Sequence, residues 1–204
     1  EEEVGPTINP AAENGTLTIR ATDTKINLET EIPVEIVEPG STTVLCEKLL
    51  NILNSLPSGD IEFKQEDINI FIKPISKKAN FKLKSIASDK FPEFTSNNSI
   101  PYFEISISEF KKMINQTIFA VSDDQTRYFM NGILFEKKDE NLIMVATDGR
   151  RLAYIAKPLA QGINEFPQVI IPVKVLNIIL KRASSEGNIF ISVLDKTIFF
   201  KFGN

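Results

Sequence analysis

From Leu17 to Thr22 apolar and polar side chains alternate, the period-two pattern of a strand with one buried face. Lys25 to Val37 is also strand-like, and Val44 to Leu56 shifts to the spacing of an amphipathic helix. Pro57-Ser58-Gly59-Asp60 reads as a turn, and Ile61 to Lys73 as a hairpin about Glu66-Asp67. In the second half, Ile107 to Val121 places Phe110, Met113, Ile114, Thr117 and Ile118 on one helical face, with Ser106 and Glu109 spaced as a capping box. A further helix is expected from Pro172 to Ala183, with proline at a favourable first-turn position.

These elements recur. Leu17-Thr18-Ile19-Arg20-Ala21-Thr22-Asp23 returns as Leu142-Ile143-Met144-Val145-Ala146-Thr147-Asp148, 125 residues later. Leu50-Asn51-Ile52 returns as Leu176-Asn177-Ile178 after 126 residues, and the block Ile61 to Lys73 as Ile189 to Lys201 after 128. Three blocks in one order indicate a duplicated domain. The polar cluster Thr95-Ser96-Asn97-Asn98-Ser99 before Pro101 reads as the linker, which divides the chain into residues 1–98 and 99–204.

Composition narrows the chemistry. Asp and Glu number 27 against 23 Lys and Arg, a formal net charge of -4, so any attraction to nucleic acid has to be local rather than general. Histidine is absent, which removes the commonest general base and the usual zinc ligand. Cys46 stands alone, so no internal disulfide or thiolate metal cluster is expected. The glycines are scattered singly, without a phosphate-cradling loop. No apolar run approaches bilayer-spanning length, and a soluble, cytosolic protein without metal or cofactor is the expectation.

Against that background, Phe119-Ala120-Val121-Ser122, the stretch from Arg127 to Glu136, and the stretch from Val145 to Ala153 resemble the middle domain of bacterial DNA sliding clamps, the beta subunits of DNA polymerase III. Asn14-Gly15-Thr16-Leu17, Pro39 to Val44, Leu56 to Gly59 and Phe91-Pro92 are similar to the family's first domain, in the same order. The likeness runs from about Asn14 to the end, with Glu1 to Pro10 outside it. It implies an α+β fold of two tandem clamp domains, with antiparallel sheets outside and amphipathic helices on an inner, DNA-facing side. The first copy would lack its opening helix, the second its last strands, and the third domain would be absent. It also implies a non-catalytic processivity factor in the bacterial cytoplasm, associated with the nucleoid during replication. At full length such a protein closes as a head-to-tail homodimer around double-stranded DNA, without regard to sequence.

The same resemblance implies two sets of residues. Arg127, Met130, Thr147, Gly149, Arg150, Arg151 and Leu152 would form one wall of a pocket for short peptide tails of the Gln-Leu-x-Leu-Phe type. Such tails belong to the polymerase catalytic subunit, the clamp loader and repair proteins, and the other wall belongs to the third domain. Met130 and Leu152 would meet an apolar anchor, with Met130 and Arg127 placed on the strand before the Thr-Asp-Gly turn. Lys174, Lys181 and Arg182, on a helix without acidic residues, would face DNA, joined by Lys111 and Lys112 and by Gln125 and Tyr128. The acids Asp123 and Asp124 beside Gln125 oppose that last contact.

Blander readings stand beside these. The lysine stripe is also what a solvated amphipathic face looks like, and Asp148-Gly149 is an ordinary turn dipeptide. Two Thr-Asp pairs in a duplicated β-rich chain invite comparison with two-lobed aspartic proteases, whose carboxylates share a proton. That chemistry expects Asp, then Thr or Ser, then Gly in both halves, whereas Asp23-Thr24-Lys25 and Asp148-Gly149-Arg150 do not supply it. A two-repeat scaffold that binds only protein also remains open on periodicity alone.

Overall fold

Alternating side chains become paired strands in both halves of the chain. The computed structural model describes residues 7–87, 91–94, 101–124, 126–159 and 163–203. Contacts divide the chain into two units, Glu1–Thr95 and Ser96–Asn204. The expected linker at Thr95 to Ser99 lies outside the described residues.

The first unit runs β1 (Thr7–Glu13), β2 (Thr16–Thr22), β3 (Asn27–Pro33), β4 (Gly40–Ser41), β5 (Val44–Leu45), α1 (Cys46–Ser55), β6 (Ile61–Glu66), β7 (Asn69–Pro74) and β8 (Phe81–Lys84). One antiparallel sheet has the order β3-β2-β1-β4, with β5 also on β1, and a second has the order β6-β7-β8. Val44, Leu49, Ile70, Ile72 and Leu83 form the core between them. β1 is an addition to the sequence-based elements. Its Pro10, which has no N–H to donate, stands between the positions that pair with β4 and those that pair with β5, and its carbonyl accepts from Thr42 N at 3.0 Å. The long strand expected from Lys25 to Val37 is confined to Asn27–Pro33, and the helix expected from Val44 begins at Cys46 because Val44 and Leu45 pair with β1 instead.

The second unit runs β9 (Phe103–Ser106), α2 (Ile107–Asn115), two 3₁₀ turns (Ile118–Ala120 and Tyr128–Met130), β10 (Gly132–Lys138), β11 (Asn141–Thr147), β12 (Leu152–Pro158), β13 (Val169–Pro172), α3 (Val173–Arg182), β14 (Asn188–Leu194) and β15 (Thr197–Lys201). Its sheets have the orders β12-β11-β10-β13 and β15-β14-β9, all antiparallel. Phe110 and Met113 of α2, Leu176 and Ile179 of α3, and Phe135, Leu142 and Met144 of the first sheet share one core, where Phe110 meets Phe135 edge to face at 6.0 Å. The helix expected to reach Val121 stops at Asn115. Thr117 turns its hydroxyl back to the carbonyls of Met113 and Ile114 at 2.8 and 3.2 Å, and the chain continues as a 3₁₀ turn. The capping box does not form, since Ser106 makes no side-chain cap and its hydroxyl lies 2.9 Å from that of Ser108.

The repeat is written in backbone angles as well as in sequence. Asn14 and Asp139, 125 apart, have φ of 53° each, and Asp67 and Asp195, 128 apart, have 51° and 52°. Short polar side chains tolerate this left-handed region, which is why tight hairpins place them there.

Candidate functional site

The chain leaves β11 at Thr147 and re-enters the sheet at Leu152, its partner in the ladder. Four residues must therefore reverse direction, and side-chain hydrogen bonds hold them. Thr147 Oγ1 donates to Arg151 O at 2.7 Å and accepts from Gly149 N at 3.1 Å. Asp148 Oδ1 accepts from the backbone N–H groups of Arg150 and Arg151 at 2.9 and 3.0 Å. Gly149 takes φ +85°, a conformation in which a β-carbon is strained. Those two backbone donors, helped by the Arg151 guanidinium, hold the Asp148 carboxyl below the usual carboxylate range.

The arginines of the turn differ in their surroundings. Arg151 Nε meets Asp148 Oδ2 at 3.0 Å, and its guanidinium carbon lies 5.6 Å from the centre of the Phe119 ring. Arg127 Nε meets Asp124 Oδ2 at 3.3 Å, and a β-carbon added at Gly149 would lie 3.6 Å from Arg127 Nη1, so the two segments adjoin. The Thr126 hydroxyl, then its backbone N–H, then Arg127 lower the Asp124 carboxyl pKa. Arg150 is exposed, and among the described residues no carboxylate pairs with its guanidinium.

Apolar surface surrounds this polar frame. Leu152 is 66% exposed, and Tyr154, on the same side of β12, is exposed with it. Met130 is half-buried, but it and Arg127 belong to the 3₁₀ turn and its N-cap rather than to a strand; β10 begins only at Gly132. Thus Arg127, Thr147, Gly149, Arg151 and Leu152 are brought together around one turn. Tyr128 lies in the same 3₁₀ turn as Met130, exposed, with its ring 5.6 Å from that of Phe129. Gln125 lies outside the described residues. Phe119 is the residue that sequence reasoning passed over: its motif carried the resemblance, but nothing in local spacing announced a ring beside Arg151.

The basic helix face is elsewhere on the second unit. On α3 the exposed residues Lys174, Asn177, Lys181 and Arg182 lie opposite buried Leu176 and Ile179, and with Ile178 they line an open depression. A second depression, beside α2, is lined by Lys111, Lys112, Asn115 and Gln116. Lys112 is exposed there. Lys111 differs from the expectation of a DNA-facing charge, because its half-buried ammonium donates to Ala183 O at 2.6 Å, at the end of α3. Among the described residues no group of three or more Cys, Asp or Glu side chains could hold a metal, and no helix is long and apolar enough to cross a membrane.

Known proteins share the sequence and the fold of this chain. The N-terminal domain of the DNA polymerase III beta subunit matches residues 7–95, so the likeness begins before Asn14, and the central domain matches residues 104–204. The beta sliding clamp of Treponema pallidum is 40% identical over 193 residues, 95% of this chain and 52% of that protein. The clamp of Escherichia coli K12 is 32% identical over 163 residues, 79% of this chain and 44% of that one. Among crystal structures, a sliding clamp from Bartonella birtlesii bound to griselimycin superposes with a TM-score of 0.87 at 30% identity, covering 97% of this chain and 54% of that chain. The DNA polymerase III beta subunit from Pseudomonas aeruginosa gives a TM-score of 0.87 at 27% identity, covering 100% and 56%. The chain therefore spans about half the length of the relatives it matches. Two successive domain matches, the identities and the shared fold together show that this chain belongs to the family of bacterial DNA polymerase III beta subunits, the beta sliding clamps.

Proposed function

We propose that this chain is part of a cytoplasmic DNA sliding clamp, which encircles duplex DNA and tethers the replicative polymerase without itself making or breaking a bond. At full length the ring is a homodimer. The turn from Thr147 to Leu152, with Arg127 and Met130, is one wall of the pocket for peptide tails of the polymerase, the clamp loader and repair proteins. The observation that carries this reading is an exposed Leu152 at the end of a turn whose backbone is fixed by Thr147 and Asp148. An apolar side chain held on a rigid support binds at low conformational cost, because little of the site is ordered on contact. Met130, half-buried in the 3₁₀ turn that follows Arg127, adds an adaptable sulfur-bearing side chain.

Lys174, Lys181, Arg182 and Lys112 serve the other task. They are exposed cations on helices of a chain with net charge -4, so attraction to phosphate is concentrated at their faces. Contacts to phosphate alone carry no sequence information, which is what a ring that must slide requires. Tyr128 and Gln125 are weaker candidates for the same contact.

The test is binding of a fluorescent Gln-Leu-x-Leu-Phe peptide to the protein. Met130→Ala and Leu152→Ala are each expected to weaken binding roughly tenfold, the loss typical of a central apolar contact. Binding that neither change affects, or no binding, overturns the pocket assignment.

A further inference from the structure

Asparagine is followed by glycine twice, at Asn14-Gly15 and at Asn131-Gly132. Such a pair is chemically labile wherever the chain can move, because a glycine N–H, unshielded by any β-carbon, reaches the preceding carboxamide. The fold treats the two pairs differently. Asn14 and Gly15 form the turn of the β1-β2 hairpin, closed by the pairing of Glu13 with Thr16, and both are exposed. Neither the Asn14 side chain nor the Gly15 N–H is hydrogen-bonded among the described residues, and a β-carbon placed on Gly15 would meet no atom within 4 Å. Only the Gly15 carbonyl is engaged, accepting from Val34 N at 3.0 Å. In the second pair, the Asn131 amide nitrogen donates to the carbonyl oxygens of Asp124 and Ser122 at 2.9 and 3.1 Å. Gly132 is buried in the ladder between β10 and β13, with Ile171 O standing where a β-carbon would be.

We infer that Asn14 is a site of spontaneous covalent modification, deamidating through a cyclic imide formed with Gly15, while the fold protects Asn131. The Gly15 nitrogen attacks Asn14 Cγ and closes a succinimide ring; the Cγ–Nδ2 bond breaks, and the amide departs as ammonia, taking up the Gly15 proton. Water then opens the ring. Attack at Cγ restores the main chain and leaves aspartate, whereas attack at the main-chain carbonyl carbon leaves isoaspartate, with the main chain running through Cβ and Cγ. Either product places a new carboxylate at the hairpin tip. The second copy of the domain shows that aspartate fits there: Asp139, 125 positions on, opens the turn of the β10-β11 hairpin with the same φ of 53°. Isoaspartate does not fit. It adds a methylene to a two-residue turn whose register is fixed by the β1-β2 ladder and by the bond from Val34, so the tip has to open.

The experiment holds the protein at mildly alkaline pH, folded and in urea, and follows both pairs by peptide mapping with mass spectrometry. In the folded protein the Asn14 peptide is expected to gain the mass of amide-to-carboxyl exchange and to split into aspartate and isoaspartate forms. The isoaspartate form should accept a labelled methyl group from S-adenosylmethionine through an isoaspartate methyltransferase. Asn131 should react more slowly by about tenfold or more, since its reaction waits for local opening, and in urea the two rates should converge. Asn14→Gln should abolish the modification at that position. Asn14→Asp should unfold at the urea midpoint of the unmodified protein, and the isoaspartate fraction at a lower one. An Asn14 that stays intact in the folded protein while reacting in urea, or an Asn131 that reacts as fast, overturns the inference. Aspartate formed without isoaspartate overturns the imide route, and an isoaspartate fraction as stable as Asn14→Asp overturns the opening of the turn.

Discussion

Lys111 donates from Nζ to the carbonyl oxygen of Ala183 at 2.6 Å, joining two helices whose sequences lie 72 residues apart. The carbonyls at the end of a helix lack intrahelical donors and carry partial negative charge, so an ammonium there serves as both hydrogen-bond donor and counter-charge. Lys111→Met is expected to lower the stability of the second unit by about 1–2 kcal/mol, the range for a charged hydrogen bond that is partly solvated. Thermal unfolding measures it. In DNA binding the same change should leave the salt dependence unaltered, whereas Lys181→Ala should reduce its slope by about one.

Gly132 opens β10 directly beside β13, paired with Pro172. A β-carbon there would overlap the carbonyl oxygen of Ile171 and lie 2.7 Å from Ile170 Cγ2, and the backbone oxygen has little room to yield. Gly132→Ala is therefore expected to cost about 1–3 kcal/mol, the usual cost of overpacking. A lower urea midpoint with an unchanged slope would confirm it.

The carboxyl of Asp148 titrates below its ordinary value because the N–H groups of Arg150 and Arg151 hold its charged form. Its folded pKa thus lies below the unfolded one, of about 3.9, so its contribution is full above that value and is lost as pH falls through the folded pKa. The turn is expected to keep its geometry, and any bound tail its affinity, from neutral pH down to about pH 4. Titration followed by the amide signals of Gly149, Arg150 and Arg151 tests this; loosening that begins near pH 6 would contradict it.

Thr24 occupies the place of Gly149 in the first unit and takes φ 72°, where a β-branched residue is strained. Thr24→Gly should raise the stability of that unit by about 0.5–1 kcal/mol, the relief of the strain offset in part by the freer unfolded chain. Denaturant unfolding of the substituted protein reads the change.

Much of the architecture was legible because Leu17 to Thr22 alternates and Leu142 to Ala146 is a continuous apolar run, and these form β2, paired with β1, and β11, paired with β10. The helices were legible in place but not in length. Thr117 ended α2 early by bonding back to it, a competition that apolar spacing does not register. β1 was hidden by Pro10, a residue that argues against a strand unless the neighbouring ladder has a gap for it. At the candidate site, residues close in sequence were found together by motif. The contacts of Phe119 with Arg151 and of Lys111 with Ala183 join distant segments, and only folding brings those into reach.

The two Thr-Asp turns share more than their sequence. In each, the aspartate oxygen takes two successive N–H groups, from Lys25 and Ile26 in one and from Arg150 and Arg151 in the other, and the threonine oxygen takes the N–H two residues on. The threonine proton goes to the Asn27 side chain at 2.6 Å in the first turn and to the Arg151 backbone in the second. Asn27 holds the position that Leu152 occupies in the other copy, so one turn is latched shut by a polar side chain while its twin presents a greasy tip to the solvent. One backbone shape has thereby become a clasp in one half of the chain and an outstretched finger in the other.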